Sequence, residues 1–286
     1  MCREKVAIIT DSCADVPKEL VKRYSIFVLP MQIVCEDGMY RDGVDIGAEE
    51  IYERLKREMP KSSTPSGADV EDLLGELVKR GYQKAIVVLL AGGLSGTVNQ
   101  VRLIAEEFEG LEVAVYDSKE ASIGIGVIAI QAAEYALSGM GFEELKKRVE
   151  GLIEGTKVFF SIHTLEYLKK GGRIGKMTAL AGTLLDIKPI MSFDEDGEIY
   201  AAAKVRSRKG VQKRLLQLME DCRREGRPYN LVVADGGARE EREALEEELK
   251  VLFPDYRALY RAEIGAALSI YLGAGLLGAG IQYLEE

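Results

Sequence analysis

The first half of the chain contains short apolar runs separated by amphipathic segments. The runs VAIIT, KAIVVLL and LEVAVYD begin at Val6, Lys84 and Leu111 and are rich in β-branched residues. Continuous apolar runs of this length are typical of strands that are covered on both faces in a parallel sheet. We therefore predict parallel strands at 6–10, 84–90 and 111–117.

Helices are predicted between these strands. In the segment 66–81, apolar residues recur at helical spacing, Ser66 stands at the N-cap position, and Gly81 is placed to end the helix. The segment 97–108, TVNQVRLIAEEF, predicts a second helix. This alternation of strand and helix predicts a right-handed parallel α/β arrangement.

The second half of the chain predicts a different sheet. KPIMSFDEDGEIYAAAKV has the pattern of a hairpin that turns at Asp196 and Gly197. Hairpins mixed with helices indicate a sheet that contains antiparallel pairs. We predict an N-terminal parallel α/β domain at 1–156 and a C-terminal α/β domain with a mixed sheet at 157–286. Further strands are expected at 157–162, 229–235, 256–265 and 276–284, and helices at 207–226 and 239–253.

Charge and hydropathy narrow the function classes. The 286 residues carry a formal net charge of −9, with acidic and basic residues intermixed. Nucleic-acid binding needs a concentrated positive surface, so we expect no nucleic-acid partner. The most apolar segment, 122–137, is too short to span a bilayer and contains Gln131 and Glu134, which favours a buried helix. We expect a cytoplasmic protein without integral membrane association.

Cysteine and histidine are too sparse for the common metal sites. The four cysteines form no C-x-x-C pair, and His163 is the single histidine. A Ser-His-Asp triad or a His-rich metal site would have to include His163. We expect neither a metal nor a cofactor.

Small polar residues gather in four loops, at 10–15, 61–67, 90–97 and 116–122. Three of these loops follow predicted parallel strands, and open α/β sheets bind ligands at the carboxyl edge that such strands share. Hydroxyl groups, together with glycine amides at the start of a helix, are donors suited to a carboxylate or a phosphate. Helix capping and turn formation are the alternative roles of these residues.

Covalent catalysis has less support in these motifs. GLSGT departs from the nucleophile elbow G-x-S-x-G at Thr97, and no G-K-[ST] follows it as in a P-loop. Asp11, Asp15 and Asp117 are the candidates for a general base or a Mg²⁺ ligand. Capping of the turns after strands is the alternative role of Asp11 and Asp117.

A cationic segment, LEYLKKGGRIGK, spans 165–176. Arg173 is its best candidate for binding an acidic or phosphorylated partner, because the planar guanidinium matches the geometry of a phosphate. A solvated helix end is the alternative.

Seven motifs, taken in order, resemble those of the DegV family, and the match covers essentially the whole chain. They are VAIITDSCADVP, KSSTPSGADVEDLL, LLAGGLSGTVNQVR, VYDSKEASIGIG, LEYLKKGGRIGK, LLDIKPIM and KVRSRKG. The resemblance implies a two-domain fold that holds a long-chain fatty acid between its domains. It also implies a non-catalytic carrier that presents the carboxylate to a separate fatty acid kinase, whose acyl phosphate product feeds phospholipid synthesis.

The resemblance further implies a site for the carboxylate. In the family this group is held by a Ser or Thr in the loop matching Ser62 and Ser63, by a Ser in the loop matching 90–95, and by a His in a late H-x-G-P-G stretch. Here the customary serine pair aligns with Ala91 and Gly92, and Tyr271 stands where the His is expected. The expected carboxylate ligands are Ser62, Ser63, Thr64, Gly92, Gly93, Ser95 and Tyr271.

Apolar character and position suggest a set of residues around the acyl chain, with ordinary core packing as the alternative for each. They are Ile123, Ile125, Ile128, Leu184, Leu185, Leu268 and Leu272. Arg173 and Lys176 are the expected contacts to the kinase. Two other functions stay open: an enzyme that acts on a small phosphorylated or carboxylated metabolite, since the fold resembles part of dihydroxyacetone kinases, and a regulatory protein that uses the segment 169–176.

Overall fold

The computed structural model describes residues 5–180 and 187–284. In chain order, its strands are β1 (Val6–Asp11), β2 (Ile26–Leu29), β3 (Gln32–Cys35), β4 (Gly38–Arg41), β5 (Lys61–Ser63), β6 (Lys84–Leu89), β7 (Glu112–Asp117), β8 (Thr156–Ser161), β9 (Lys188–Phe193), β10 (Ile199–Val205), β11 (Tyr229–Gly236), β12 (Ala258–Glu263) and β13 (Leu276–Tyr283). Its helices are α1 (Lys18–Tyr24), α2 (Ala48–Arg54), α3 (Gly67–Lys79), α4 (Thr97–Glu107), α5 (Ile123–Ser138), α6 (Phe142–Gly155), α7 (Glu166–Lys170), α8 (Arg208–Asp221), α9 (Arg239–Leu252) and α10 (Ala266–Leu272), with 3₁₀ helices at Ser12–Ala14 and Gly175–Leu180.

The first sheet has the strand order β2-β1-β6-β7, and all its pairs are parallel. The apolar residues of β1 and β6 are buried on both faces because α3 and α4 pack on one face and α5 on the other. The predicted parallel strands are therefore confirmed, and β2 is an additional strand that the apolar runs did not reveal. Helix α3 begins as predicted, since the Ser66 hydroxyl accepts a hydrogen bond of 3.0 Å from the backbone N–H of Asp69.

The second sheet has the order β10-β9-β8-β13-β11-β12. Only the β11–β12 pair is parallel among its described pairs, so the predicted mixed sheet is confirmed. The last strand of the chain, β13, lies in the middle, between β8 and β11. The predicted domain boundary lies between Thr156 and Lys157, the first two residues of β8.

A small antiparallel sheet of order β4-β3-β5 was not predicted. Its strand β5 covers Lys61–Ser63, a stretch whose polar sequence favoured a loop. Pairing of β5 with β3 places Ser62 opposite Ile33 and holds the Ser62 backbone in a fixed position. This small sheet therefore fixes the position of Ser62, one of the expected carboxylate ligands, outside the parallel sheet.

Helix α5 lies between the two large sheets. It is buried from Ile123 through Ala133, and one continuous apolar cluster joins residues of both sheets around it. This explains the apolar composition of 122–137 and confirms the predicted buried helix. Within 5–180 and 187–284, no helix combines the length and the apolar character that a membrane span requires.

Candidate functional site

A cavity of about 320 Å³ is lined by residues from both halves of the chain. The loops that follow β1, β6 and β7, together with β5, border it from the first half, and α10 and the inner face of the second sheet border it from the second half. Its size is within the usual range of small-molecule sites, about 300–1,000 Å³. All four loops singled out in the sequence contribute to its wall, through Cys13, Ser62, Ser95 and Ser122 among others.

Ser62 and Tyr271 form a hydroxyl pair in the cavity wall. Their oxygen atoms are 2.9 Å apart, and the backbone N–H of Ser62 also donates to the Tyr271 oxygen at 3.4 Å. Only one of the two hydroxyl protons is needed for the bond between them. The other proton is free to be donated to an acceptor in the cavity.

The ring of Tyr271 is held by its packing. It lies directly against the backbone of Gly171, and the Arg173 guanidinium lies 5.1 Å from the ring centroid. Arg173 donates a hydrogen bond of 2.7 Å to the Gly171 carbonyl, lines the cavity, and remains exposed to solvent. A cation at this distance from an aromatic ring is attracted to its face, so Arg173 and Tyr271 stabilise each other.

Ser95 lines the cavity at the start of α4. Its hydroxyl lies 2.8 Å from the Thr97 hydroxyl and accepts a hydrogen bond from the Thr97 N–H at 3.3 Å, while Thr97 also lies 3.7 Å from the Met31 sulfur. Because Thr97 can turn its proton toward Ser95, the Ser95 hydroxyl can donate to a ligand without leaving Thr97 unsatisfied. Ser63 and Thr64 also line the cavity, next to Ser62.

The structure places Gly92 and Gly93 outside the lining of this cavity. The Gly92 N–H donates to Asp117 Oδ1 at 3.0 Å and is therefore not available to a ligand. Gly93 packs on the turn between β9 and β10, where an added methyl group would lie 2.8 Å from the carbonyl oxygens of Asp196 and Gly197. Gly92 is therefore engaged within the first half of the chain, and Gly93 contributes to packing between the two halves.

The predicted tail-lining residues divide into three groups. Ile123, Leu268 and Leu272 line the cavity. Ile125 and Ile128 are fully buried in the core around α5 and do not line it. Leu184 and Leu185 lie outside the described residues.

A large part of the apolar wall comes from the inner face of the second sheet. Phe160 and Phe193 stack with ring centroids 5.5 Å apart and an interplanar angle of 25°. The sequence predicted the strands that carry these residues. It did not show that part of this inner face borders a cavity rather than other side chains. These wall residues are Val158, Phe160, Phe193, Ile199, Val232, Ala234, Leu276 and Gly278.

The three candidate catalytic aspartates hold loops together. Asp11 is fully buried and accepts hydrogen bonds from the N–H groups of Cys13 (2.9 Å) and Leu90 (2.8 Å). Burial raises its pKa to about 7, and backbone hydrogen bonds oppose that rise. Asp117 accepts from Gly92, as described, and from the Lys119 ammonium at 2.8 Å.

Asp15 joins the two halves of the chain. It accepts hydrogen bonds from the Ser122 hydroxyl at 2.6 Å and from the Gly265 N–H at 2.8 Å. Nearby, Asp42 accepts from the Ala266 N–H at 2.9 Å. Burial raises the pKa of both carboxyl groups. Across the described residues, the His, Cys, Asp and Glu side chains form no group suited to a metal ion.

Comparison with known proteins assigns the chain to a family. A family model described as "Uncharacterised protein, DegV family" matches residues 5–284. A DegV domain-containing protein from Clostridium acetobutylicum is 38% identical over 283 residues, which cover 99% of this chain and 100% of that protein.

Solved structures agree with this assignment. A DegV family protein from Thermus thermophilus, described for its fatty acid binding, superposes with a TM-score of 0.92 at 30% identity, covering 98% of this chain and 100% of that one. DegV from Bacillus subtilis, described as a fatty acid binding protein, gives a TM-score of 0.89 at 29% identity, covering 98% and 99% of the two chains. A stearic acid-binding protein from Eubacterium ventriosum gives 0.87 at 26% identity, covering 98% of each chain. From its sequence match along nearly its whole length and the same fold, this chain belongs to the DegV family.

Proposed function

We propose that this protein binds a long-chain fatty acid in the cavity between its two large sheets, without catalysing a reaction, and presents the carboxylate to a fatty acid kinase. The observation that carries the proposal is a largely apolar cavity with a few hydroxyl groups in its wall. The fatty acid binding described for its structural relatives supports the same ligand class.

The acyl chain supplies most of the affinity. Burying about 15 methylene groups, at about 0.8 kcal/mol each, contributes on the order of 10 kcal/mol before the costs of association. A hydrogen bond to a charged group contributes about 1.5–3 kcal/mol. The apolar wall therefore determines how tightly the ligand binds, and the hydroxyl groups determine where its head group lies.

The proposed head-group site consists of the hydroxyl pair of Ser62 and Tyr271, with Ser95, Ser63 and Thr64. A carboxylate accepts hydrogen bonds only, and these residues supply donors. Tyr271 takes the position that the family resemblance gives to a histidine, and its hydroxyl supplies a donor there. Gly92 and Gly93 are left out because their amide groups lie away from the cavity.

The first test is whether the protein carries and takes up fatty acids. Protein purified without detergent is extracted with organic solvent, and the extract is analysed by mass spectrometry. Delipidated protein is then titrated with palmitate. We expect close to one fatty acid per chain in both experiments. Absence of lipid from the extract, together with no uptake of palmitate, would refute the proposal.

Presentation to a kinase is proposed for the exposed side of the same site. Arg173 borders both the cavity and the solvent, so a partner that reaches the carboxylate meets Arg173 as well. Lys176 is expected to contribute less, because Asp194 (2.5 Å) and Glu198 (3.6 Å) already neutralise it.

The kinase proposal is tested by charge reversal. With a fatty acid kinase, ATP and a saturating concentration of palmitate, Arg173→Glu should lower acyl phosphate formation at least tenfold, because a charge pair that is desolvated in an interface contributes more than about tenfold to its affinity. Palmitate binding by the variant is measured separately, so that the loaded protein is compared in both cases. Lys176→Glu serves as the matched control and should have the smaller effect. Equal activity of Arg173→Glu and the unmodified protein would contradict the proposed contact.

A further inference from the structure

Residues in register on the inner face of the second sheet form rows that cross its strands. Two adjacent rows differ in the size of their side chains. The first row contains Phe160, Gly278, Ala234 and Ala262, and the second contains Val158, Gly280, Val232 and Tyr260. The first row is therefore small in its middle, where β13 and β11 pair.

The two glycines of β13 have different surroundings. A methyl group added to Gly280 would lie 2.6 Å from Val158 Cγ1 and 2.9 Å from Val232 Cγ2, so neighbouring side chains already cover this position. A methyl group added to Gly278 would have its three nearest atoms in β8 alone, at 3.2–3.8 Å in Phe159 and Phe160. Gly278 lines the cavity, whereas Gly280 does not.

The small residues of the first row thus leave space that belongs to the cavity. Ala234, the register partner of Gly278, lines the same cavity and is buried. The stacked pair of Phe160 and Phe193 forms a wall beside them, and Leu268 of α10 also lines the cavity. Since cores are close-packed, a gap of this kind that no side chain fills is available to a ligand.

We propose that Gly278 and Ala234 form the floor on which the acyl chain lies, and that the space above them sets the longest chain that the protein binds. The inference rests on the proposed function, because it assigns a selectivity to the tail portion of the same cavity. We expect a larger side chain at either position to shorten the space for the acyl chain and to spare the head-group site, because neither residue is among the proposed head-group ligands.

The test is a chain-length profile. Dissociation constants of laurate, myristate, palmitate and stearate are measured with delipidated unmodified protein and with Ala234→Val, which adds methyl groups without demanding an unusual backbone conformation. Each methylene group expelled from the cavity weakens binding about fourfold. In the variant, we expect the dissociation constant of stearate to rise roughly 4- to 16-fold more than that of laurate.

Two further variants keep the test decisive. Gly278→Ala places a single methyl group on the other floor residue and should shift the profile in the same direction; it decides the question if Ala234→Val does not fold. Ala258→Val, on the neighbouring strand β12, is half-buried and outside the cavity lining, so it should leave the profile unchanged.

The outcomes separate this inference from the proposed function. Unmodified protein that binds no fatty acid at all refutes the proposed function. The chain-length assignment is overturned if a folded Ala234→Val or Gly278→Ala variant has an unchanged profile. It is also overturned if binding weakens equally for every chain length. In both cases the proposed fatty acid binding is unaffected.

Discussion

Replacing Tyr271 by Phe removes one hydroxyl group from the proposed head-group site and leaves the ring in place. The ring keeps its packing on Gly171 and its position 5.1 Å from the Arg173 guanidinium. The bond that is lost joins Tyr271 to the Ser62 hydroxyl at 2.9 Å. A neutral hydrogen bond contributes about 0.5–1.5 kcal/mol to stability, so the folded protein should tolerate the change.

The effect on ligand binding should be larger than the effect on folding. A donor to a carboxylate contributes about 1.5–3 kcal/mol, which corresponds to a roughly 10- to 150-fold rise in the dissociation constant of palmitate. Measurable binding should remain, because the acyl chain contributes on the order of 10 kcal/mol before association costs. The chain contains no tryptophan, so calorimetry or displacement of a fluorescent fatty acid is the suitable assay.

Two comparisons identify the cause of any weakening. Methyl palmitate has the same tail and an uncharged head, so Tyr271→Phe should weaken its binding much less than that of palmitate. Tyr167→Phe makes the same chemical change on α7, outside the cavity lining, and should leave both ligands unaffected. Equal losses for palmitate and its methyl ester in Tyr271→Phe would show that the hydroxyl does not contact a carboxylate.

Two further predictions concern the junction of the two halves and the buried carboxylates. Gly93→Ala should lower the free energy of unfolding by about 1–3 kcal/mol, because the added methyl group would lie 2.8 Å from the carbonyl oxygens of Asp196 and Gly197. Chemical denaturation measures this change, and an unchanged midpoint would contradict the close packing. Burial raises the pKa of Asp11 to about 7 from 3.8, so the folded state binds more protons than the unfolded chain between these values, and stability should rise as the pH falls from about 7 to about 5. Burial and nearby cations lower the pKa of His163, so this residue makes stability fall as the pH falls below about 6.5. Denaturation is therefore measured in a His163→Asn background. Stability that falls with decreasing pH in that background would refute the reasoning.

Local sequence patterns predicted the strands of both large sheets except β2. Continuous apolar runs marked β1, β6 and β7, and the Asp-Gly turn marked the hairpin of β9 and β10. Strand β5 was missed because three polar residues show no alternation, and its strand conformation depends on pairing with β3, which lies elsewhere in the chain. Short strands of this kind are determined by their partners rather than by their own residues.

The sequence by itself determined the α/β class, the family, and the loops that gather at one edge of the parallel sheet, because these depend on short-range periodicity and on ordered motifs. Only the tertiary structure decided which groups are free to bind a ligand. The Gly92 N–H donates a hydrogen bond to Asp117, and Ile125 is packed in the core, so neither is free to contact a ligand. Ser62, by contrast, lies in the cavity wall and pairs with Tyr271, 209 positions away in the chain. Periodicity shows that a side chain is buried, but whether it is buried against other side chains or against a cavity depends on contacts between elements that are distant in sequence.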